Sequence, residues 1–210
     1  MISLSEILHT IAQALMIPCL IILIILMAGA VWQIGDIVVE YIAERRKHKC
    51  NVPQLLRDVH TAGADGLAEL IENSGLLRRQ KKALLELAES RDLPKDTLTA
   101  LAERLLATEE ARNARTTSVT DMIAKLGPMF GLLGTLIPLG PGIVALGQGD
   151  TVTLSESMNV AFDTTIAGVI SAAVASVISH IRKRWYNDDM VSLETLMEAV
   201  LEEVTSDVEG

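Results

Sequence analysis

The chain has 210 residues, of which 50% are apolar, 21% are charged and only six are aromatic. A formal charge of −9 argues against general nucleic-acid binding, which needs clustered positive charge, and two cysteines cannot build a disulfide framework. The hydrophobic content excludes disorder, and the distribution of charge decides the class. All 18 Lys and Arg residues fall in two windows, Arg45 to Lys125 and Arg182 to Arg184. A water-soluble amphipathic fold would place basic residues on every exposed face. The chain therefore reads as an all-α integral membrane protein.

The first uncharged run, Ile7 to Gly35, is longer than the roughly 20 residues that cross a bilayer core. Ala28-Gly29-Ala30 resembles a signal-peptide cleavage site, but the preceding segment carries Glu6 and no basic residue, and the apolar stretch is too long. Arg45-Arg46-Lys47-His48-Lys49 follows. Residues 45–125 hold 15 basic and 12 acidic side chains in a helical pattern. One helix is expected from Leu55 to Asn73, closed by Gly75, and another from Leu76 to Glu89. A third starts near Pro94, and with no Gly or Pro from Lys95 to Leu126 it is expected to run straight into the next apolar run.

That second run, Leu126 to Gly149, is uncharged but contains Pro128, Pro138 and Pro141 among several glycines. In water it would be a loop; in a membrane such residues are tolerated within helices. The third run, Ser157 to Ile181, contains one acid, Asp163, and many small and hydroxylic residues. Thr164, Gly168, Ala172 and Ser176 recur every four residues and should form one packing face, and Gly131 and Gly134 of the second run are likewise expected to serve helix packing. The tail places Leu193, Leu196, Val200 and Val204 in an apolar stripe. The expectation is that it packs on cytoplasmic helices of neighbouring copies and stabilises their assembly.

Basic clusters mark cytoplasmic ends by the positive-inside rule, and Trp32, Tyr41, Trp185 and Tyr186 flank the same ends. The expected order is an outer N-terminus over 1–10, a first span over 11–35 and a cytoplasmic helical domain over 36–125. Then come a second span over 126–147, an outer connection over 148–155, a third span over 156–181 and a cytoplasmic amphipathic helix over 182–210. The topology is thus three spans, N-out and C-in.

Catalytic material is sparse. There is no phosphate-binding Gly-Lys-Ser/Thr loop, GxSxG elbow or HExxH pair. His9, His48, His60 and His180 lack ligand spacing, so neither a metal site nor a cofactor is expected. Cys19 lies in a span and Cys50 in the cytoplasm, so they cannot pair within one chain. An intramembrane carboxylate usually faces a bundle interior or a water path, which singles out Asp163. The alternative is that the span starts late and Asp163 sits solvated near the outer surface, about 10 Å of helix beyond Glu156. Thr164, Thr165 and Thr135 lie in the same runs, although threonines in spans commonly bond their own helix carbonyls.

Two segments resemble signatures of the MotA/TolQ/ExbB proton-channel family. Leu126-Gly-Pro-Met-Phe-Gly-Leu-Leu-Gly-Thr135 is similar to its second-span motif, and Asn159-Val-Ala-Phe-Asp-Thr-Thr165-Ile-Ala-Gly168 to its third-span motif. The three-span layout matches the TolQ/ExbB branch better than the four-span MotA proteins. The resemblance implies a homo-oligomeric ring, typically a pentamer, in the cytoplasmic (inner) membrane. That ring would surround helices of a TolR/ExbD-like single-span partner whose intramembrane aspartate is protonated and released in turn. Thr135 and Thr165 would line the path, the ion being H+ with Na+ as the alternative, and ion flow would drive movement of the ring relative to the partner. Where ExbB-like proteins carry a glutamate five residues before the third-span threonine, this chain has Val160. Asp163 is one candidate to take over that role; the other is that the partner's carboxylate acts alone. The competing class is a non-conducting membrane scaffold that oligomerises through its small-residue faces and signals through its cytoplasmic helices.

Overall fold

The computed structural model describes residues 4–45 and 51–209. Arg46 to Lys49 of the first basic cluster, and Cys50, lie outside the described residues, as do the side chains of His9 and Arg45. The described chain consists of helices α1 (Leu4–Ala14), α2 (Met16–Glu40), α3 (Val52–Asn73), α4 (Arg78–Glu89), α5 (Lys95–Gly147) and α6 (Thr151–Glu209), with a π-helical turn at Tyr41–Arg45 after α2. There is no strand among the described residues. Three helical stretches are long and apolar enough to cross a membrane: Glu6–Ala43, Lys95–Gly147 and Thr151–Ser206. The continuity expected from Lys95 into the second apolar run is observed, and Pro128, Pro138 and Pro141 are all accommodated inside α5.

The chain forms two compact units. The first, Met1–Ile37 with Thr117–Ile181, is built from α2 and the adjoining parts of α5 and α6. Its core is small: Leu26, Ala30, Ile123 and Ala175, with Phe130, Leu126 and Val174 partly buried around them. The Cys19 thiol is buried and lies 3.4 Å from the Phe130 carbonyl oxygen. Its large aliphatic side chains point outward instead, among them Ile24, Ile25, Leu132, Leu136, Ile166 and Ile170. That pattern is unfavourable in water and normal in lipid, where apolar atoms on both faces cost nothing and close contact between helices supplies the stability.

The second unit, Val38–Thr116 with Arg182–Gly210, is organised like a soluble protein. Leu55, Val59, Leu67 and Ile71 of α3, Leu84 and Leu87 of α4, and Leu98 of α5 share one core with Leu193, Leu196, Met197, Val200 and Val204 of α6. The tail stripe is therefore covered by its own chain, which corrects the expectation that neighbouring copies cover it. Helices α3 and α4 and the start of α5 supply leucines at helical spacing, so the α6 face finds a complete apolar partner locally. Beside this core, Arg182 Nε donates to Glu40 Oε2 at 3.1 Å, with the arginine almost fully buried. Burial and Glu40, which also takes a hydrogen bond from it, push the Tyr186 phenol up to about 12. Tyr41 stacks on Trp185 with ring centroids 6.1 Å apart.

Three expected boundaries differ. Helix α3 is kinked at Gly63, whose φ of 65° and ψ of 174° suit only glycine. It closes at Ser74, whose backbone N–H donates to the Ile71 carbonyl in an extended conformation, so Gly75 is not a left-handed cap. Helix α4 begins at Arg78 rather than Leu76, because the buried Gln80 side chain accepts from the Leu77 N–H at 3.2 Å and donates to the Asp189 carbonyl at 3.0 Å. The connection between α5 and α6 is only residues 148–150. Gly149 turns at φ 77°, and Asp150 accepts the N–H groups of Val152 and Thr153, so α6 begins at Thr151, inside the stretch 148–155 expected as the connection.

Candidate functional site

Glycines bring α5 and α6 into close contact. A Cβ on Gly168 would lie 2.5 Å from the Gly127 carbonyl oxygen and 2.9 Å from the Gly131 Cα. A Cβ on Gly127 would meet the Gly168 carbonyl at 2.6 Å and Ala172 Cβ at 3.0 Å, and one on Gly134 would meet Thr164 Cβ at 2.6 Å. A Cβ on Gly142 would meet Ser157 Cβ at 3.0 Å. Together these fix an antiparallel register: Gly142 opposite Ser157, Gly134 opposite Thr164, Gly131 opposite Gly168, and Gly127 opposite Ala172. The ladder read from sequence packs as one face, with Thr164, Gly168 and Ala172 buried and Ser176 half-buried. Gly127 belongs to this seam although its position in the motif, next to Pro128, marked it only as a helix breaker.

The threonines divide. Thr164 sits inside the seam, 5% exposed, and its hydroxyl bonds the Val160 and Ala161 carbonyls at 2.9 Å each. It is a packing residue. Thr135 and Thr165 are half-buried; Thr135 donates to the Leu132 carbonyl at 2.6 Å and Thr165 to the Ala161 carbonyl at 3.0 Å. Each follows a seam residue, Gly134 or Thr164, by one position, a turn of about 100°. Because the helices are antiparallel, equal turns on both point to the same side. Thr135 and Thr165 therefore border one edge of the helix pair at nearly the same height.

Asp163 is not on that edge. It precedes Thr165 by two residues, about 200° around the helix, and it is exposed. The expected grouping of Asp163 with the two threonines is thus split by helix geometry. Along the helix pair, next to Thr164, it lies level with Thr135 and Leu136, about 16 Å of helix from Lys125 and about 10 Å from Glu156. Val160 is half-buried.

At the hairpin turn, Asp150 holds Thr153 through both its hydroxyl, at 2.5 Å, and its N–H. These bonds hold the Asp150 carboxyl below its usual range.

A family model described as the MotA/TolQ/ExbB proton channel family matches residues 70–195, more than half of the chain and the whole glycine seam. The chain belongs to that family. None of the curated proteins compared with it matches. Membership makes this a membrane protein of a proton-channel family rather than of an enzyme family, and the family is one of oligomeric assemblies with partner proteins.

Proposed function

We propose that the chain is the ring-forming subunit of a motor driven by ion-motive force in the cytoplasmic membrane, N-out and C-in. In this reading a pentamer surrounds the helices of a TolR/ExbD-like partner, and protons moving past the partner's aspartate are converted into mechanical work. One observation carries it. Within the family match, the seam sets Thr135 and Thr165 at one height on one edge of α5 and α6, where five copies would present a continuous ring of hydroxyls to a central helix. Hydroxyls exchange hydrogen bonds with passing water without the cost of a buried charge. Asp163, on the other edge, supports the reading in which the partner supplies the titrating carboxylate of the path.

The test is partner-dependent proton flux in reconstituted vesicles. Thr135→Val and Thr165→Val keep side-chain volume and should abolish flux while assembly persists. The non-conducting scaffold is the second reading, favoured by the bonding of both hydroxyls to their own helix carbonyls. Unchanged flux in both variants would decide for it.

A further inference from the structure

The first apolar stretch is longer than a bilayer needs. Glu6–Ala43 is 38 helical residues, about 57 Å, and its uncharged part, Ile7 to Gly35, is 29 residues, about 43 Å. Fitting 43 Å into a core of about 30 Å requires a tilt of about 46°, beyond the range of about 0–40° that spanning helices adopt. Leu15 to Gly35 is 21 residues, about 31 Å, which is one crossing without surplus.

The helix breaks at that same point. Pro18 has no N–H to give the Ala14 carbonyl, and the Leu15 N–H divides between the Ile11 and Ala12 carbonyls at 3.1 and 3.2 Å. Helix α1 therefore closes at Ala14 before α2 begins at Met16. The side chains change character there too. At about 100° per residue, Leu4, Ile7, Leu8 and Ile11 share an arc of about 100°, while Glu6, Thr10 and Gln13 lie opposite. All four apolar side chains are 45–74% exposed. From Ile17 to Trp32, by contrast, α2 carries no charged, amide or hydroxyl side chain.

Upright in lipid, α1 would draw Glu6, Thr10 and Gln13 into hydrocarbon; upright in water, it would leave the four apolar groups wet. Lying flat on the bilayer satisfies both faces at once. Leu15 alone separates α1 from α2, so the bilayer surface is the partner that α1 meets first. We propose that α1 lies in the membrane interface with its apolar face toward the hydrocarbon, in the leaflet from which α2 starts, the chain bending at the Pro18 joint. Residues 1–44 contain no Lys or Arg, so this lipid surface is recognised by apolar burial and not by anionic headgroups. The anchor sets the depth and rotation of α2 whether or not the chain conducts.

The experiment puts one nitroxide at a time on the full chain in phosphatidylcholine vesicles, through Leu4→Cys, Glu6→Cys, Leu8→Cys, Thr10→Cys, Ile11→Cys or Gln13→Cys in a Cys19→Ala, Cys50→Ser background. Access to oxygen, which concentrates in lipid, and to a nickel chelate, which stays in water, gives depth. Labels at positions 4, 8 and 11 should sit about 5–10 Å into the headgroup and acyl boundary at nearly equal depth, with those at 6, 10 and 13 in water. An upright helix would instead separate positions 4 and 11 by about 10 Å along the bilayer normal, and that slope overturns the proposal. Exclusion of both reagents from positions 8 and 11 also overturns it, since a second copy or another protein then covers the face. Adding phosphatidylglycerol should leave the depths unchanged, and insertion that appears only with it overturns the proposal. Should the cysteine-free background melt below the wild type, Leu8→Trp in the native chain gives an independent reading. Its added fluorescence should be quenched most by lipids brominated next to the headgroup, and no quenching beyond that of the wild type overturns the proposal.

Discussion

Gly168→Ala adds a single methyl group where two backbones meet. The new carbon would stand 2.5 Å from the Gly127 carbonyl oxygen and 2.9 Å from the Gly131 Cα. Neither is the end of a flexible side chain, so α5 and α6 must part by about 0.9 Å to bring 2.5 Å up to the 3.4 Å of ordinary contact. Overpacking of this kind costs about 1–3 kcal/mol, and rigid neighbours on both sides argue for the upper end. Replacing glycine by alanine in a helix returns about 1 kcal/mol, leaving a net loss of about 2 kcal/mol. Gly131→Ala is the matched control. Its methyl would find its nearest neighbours at 3.4–3.6 Å, so it should gain the helix term of about 1 kcal/mol and pay nothing in packing. A difference of about 3 kcal/mol between the two variants corresponds to roughly 6–12 °C in melting temperature for a chain of this size. Thermal unfolding in one detergent, followed by tryptophan fluorescence, ranks them. If Gly168→Ala melts at or above Gly131→Ala, the seam is looser than described and the register drawn from it fails.

Leu196→Asp with Val200→Asp should disrupt the second unit itself, since these residues are 1% and 0% exposed; each buried carboxylate costs on the order of 4 kcal/mol or more. Lost hydrogen-exchange protection across α3 and α4 would show it, and retained protection would mean that the stripe is covered by something else. Asp163→Asn, being off the threonine edge, should leave proton flux within twofold of wild type; a loss as large as that of Thr165→Val would put Asp163 back in the path. Asp150 has a depressed folded-state pKa, so the stability it adds is present above the ordinary aspartate range near pH 4 and lost as pH falls through the folded value. The melting difference between wild type and Asp150→Ala should accordingly shrink on acidification from about pH 5, and a difference that grows would contradict the cap.

Block charge and uninterrupted helical pattern made most of the fold legible. The run from Lys95 to Leu126 contains no breaker, and α5 contains no break. Glycines were harder to read, because a glycine licenses several conformations and only tertiary context selects one. Gly75 looked like a cap and is not one, whereas Gly63, inside a helical pattern, carries the kink. For the candidate site, the sequence offered residue types but not their arrangement. Asp163 and Thr165 are two residues apart in sequence and nearly opposite on the helix, and which residues of α5 and α6 share an edge depends on the antiparallel register. The tail stripe announced burial correctly, but amphipathicity says only that a face needs cover, not whose surface covers it.

Under the proposed conduction, the bonds of Thr135 and Thr165 to the Leu132 and Ala161 carbonyls bear on selectivity. With each hydroxyl proton committed to a carbonyl, the oxygen can only accept, so what it offers along that edge is lone pairs without hydrogens. A surface of this kind favours hydronium, water or a metal cation presenting positive charge, and gives a chloride ion nothing to bind. The sign of the permeant ion would then be set by the direction in which two hydroxyl bonds point.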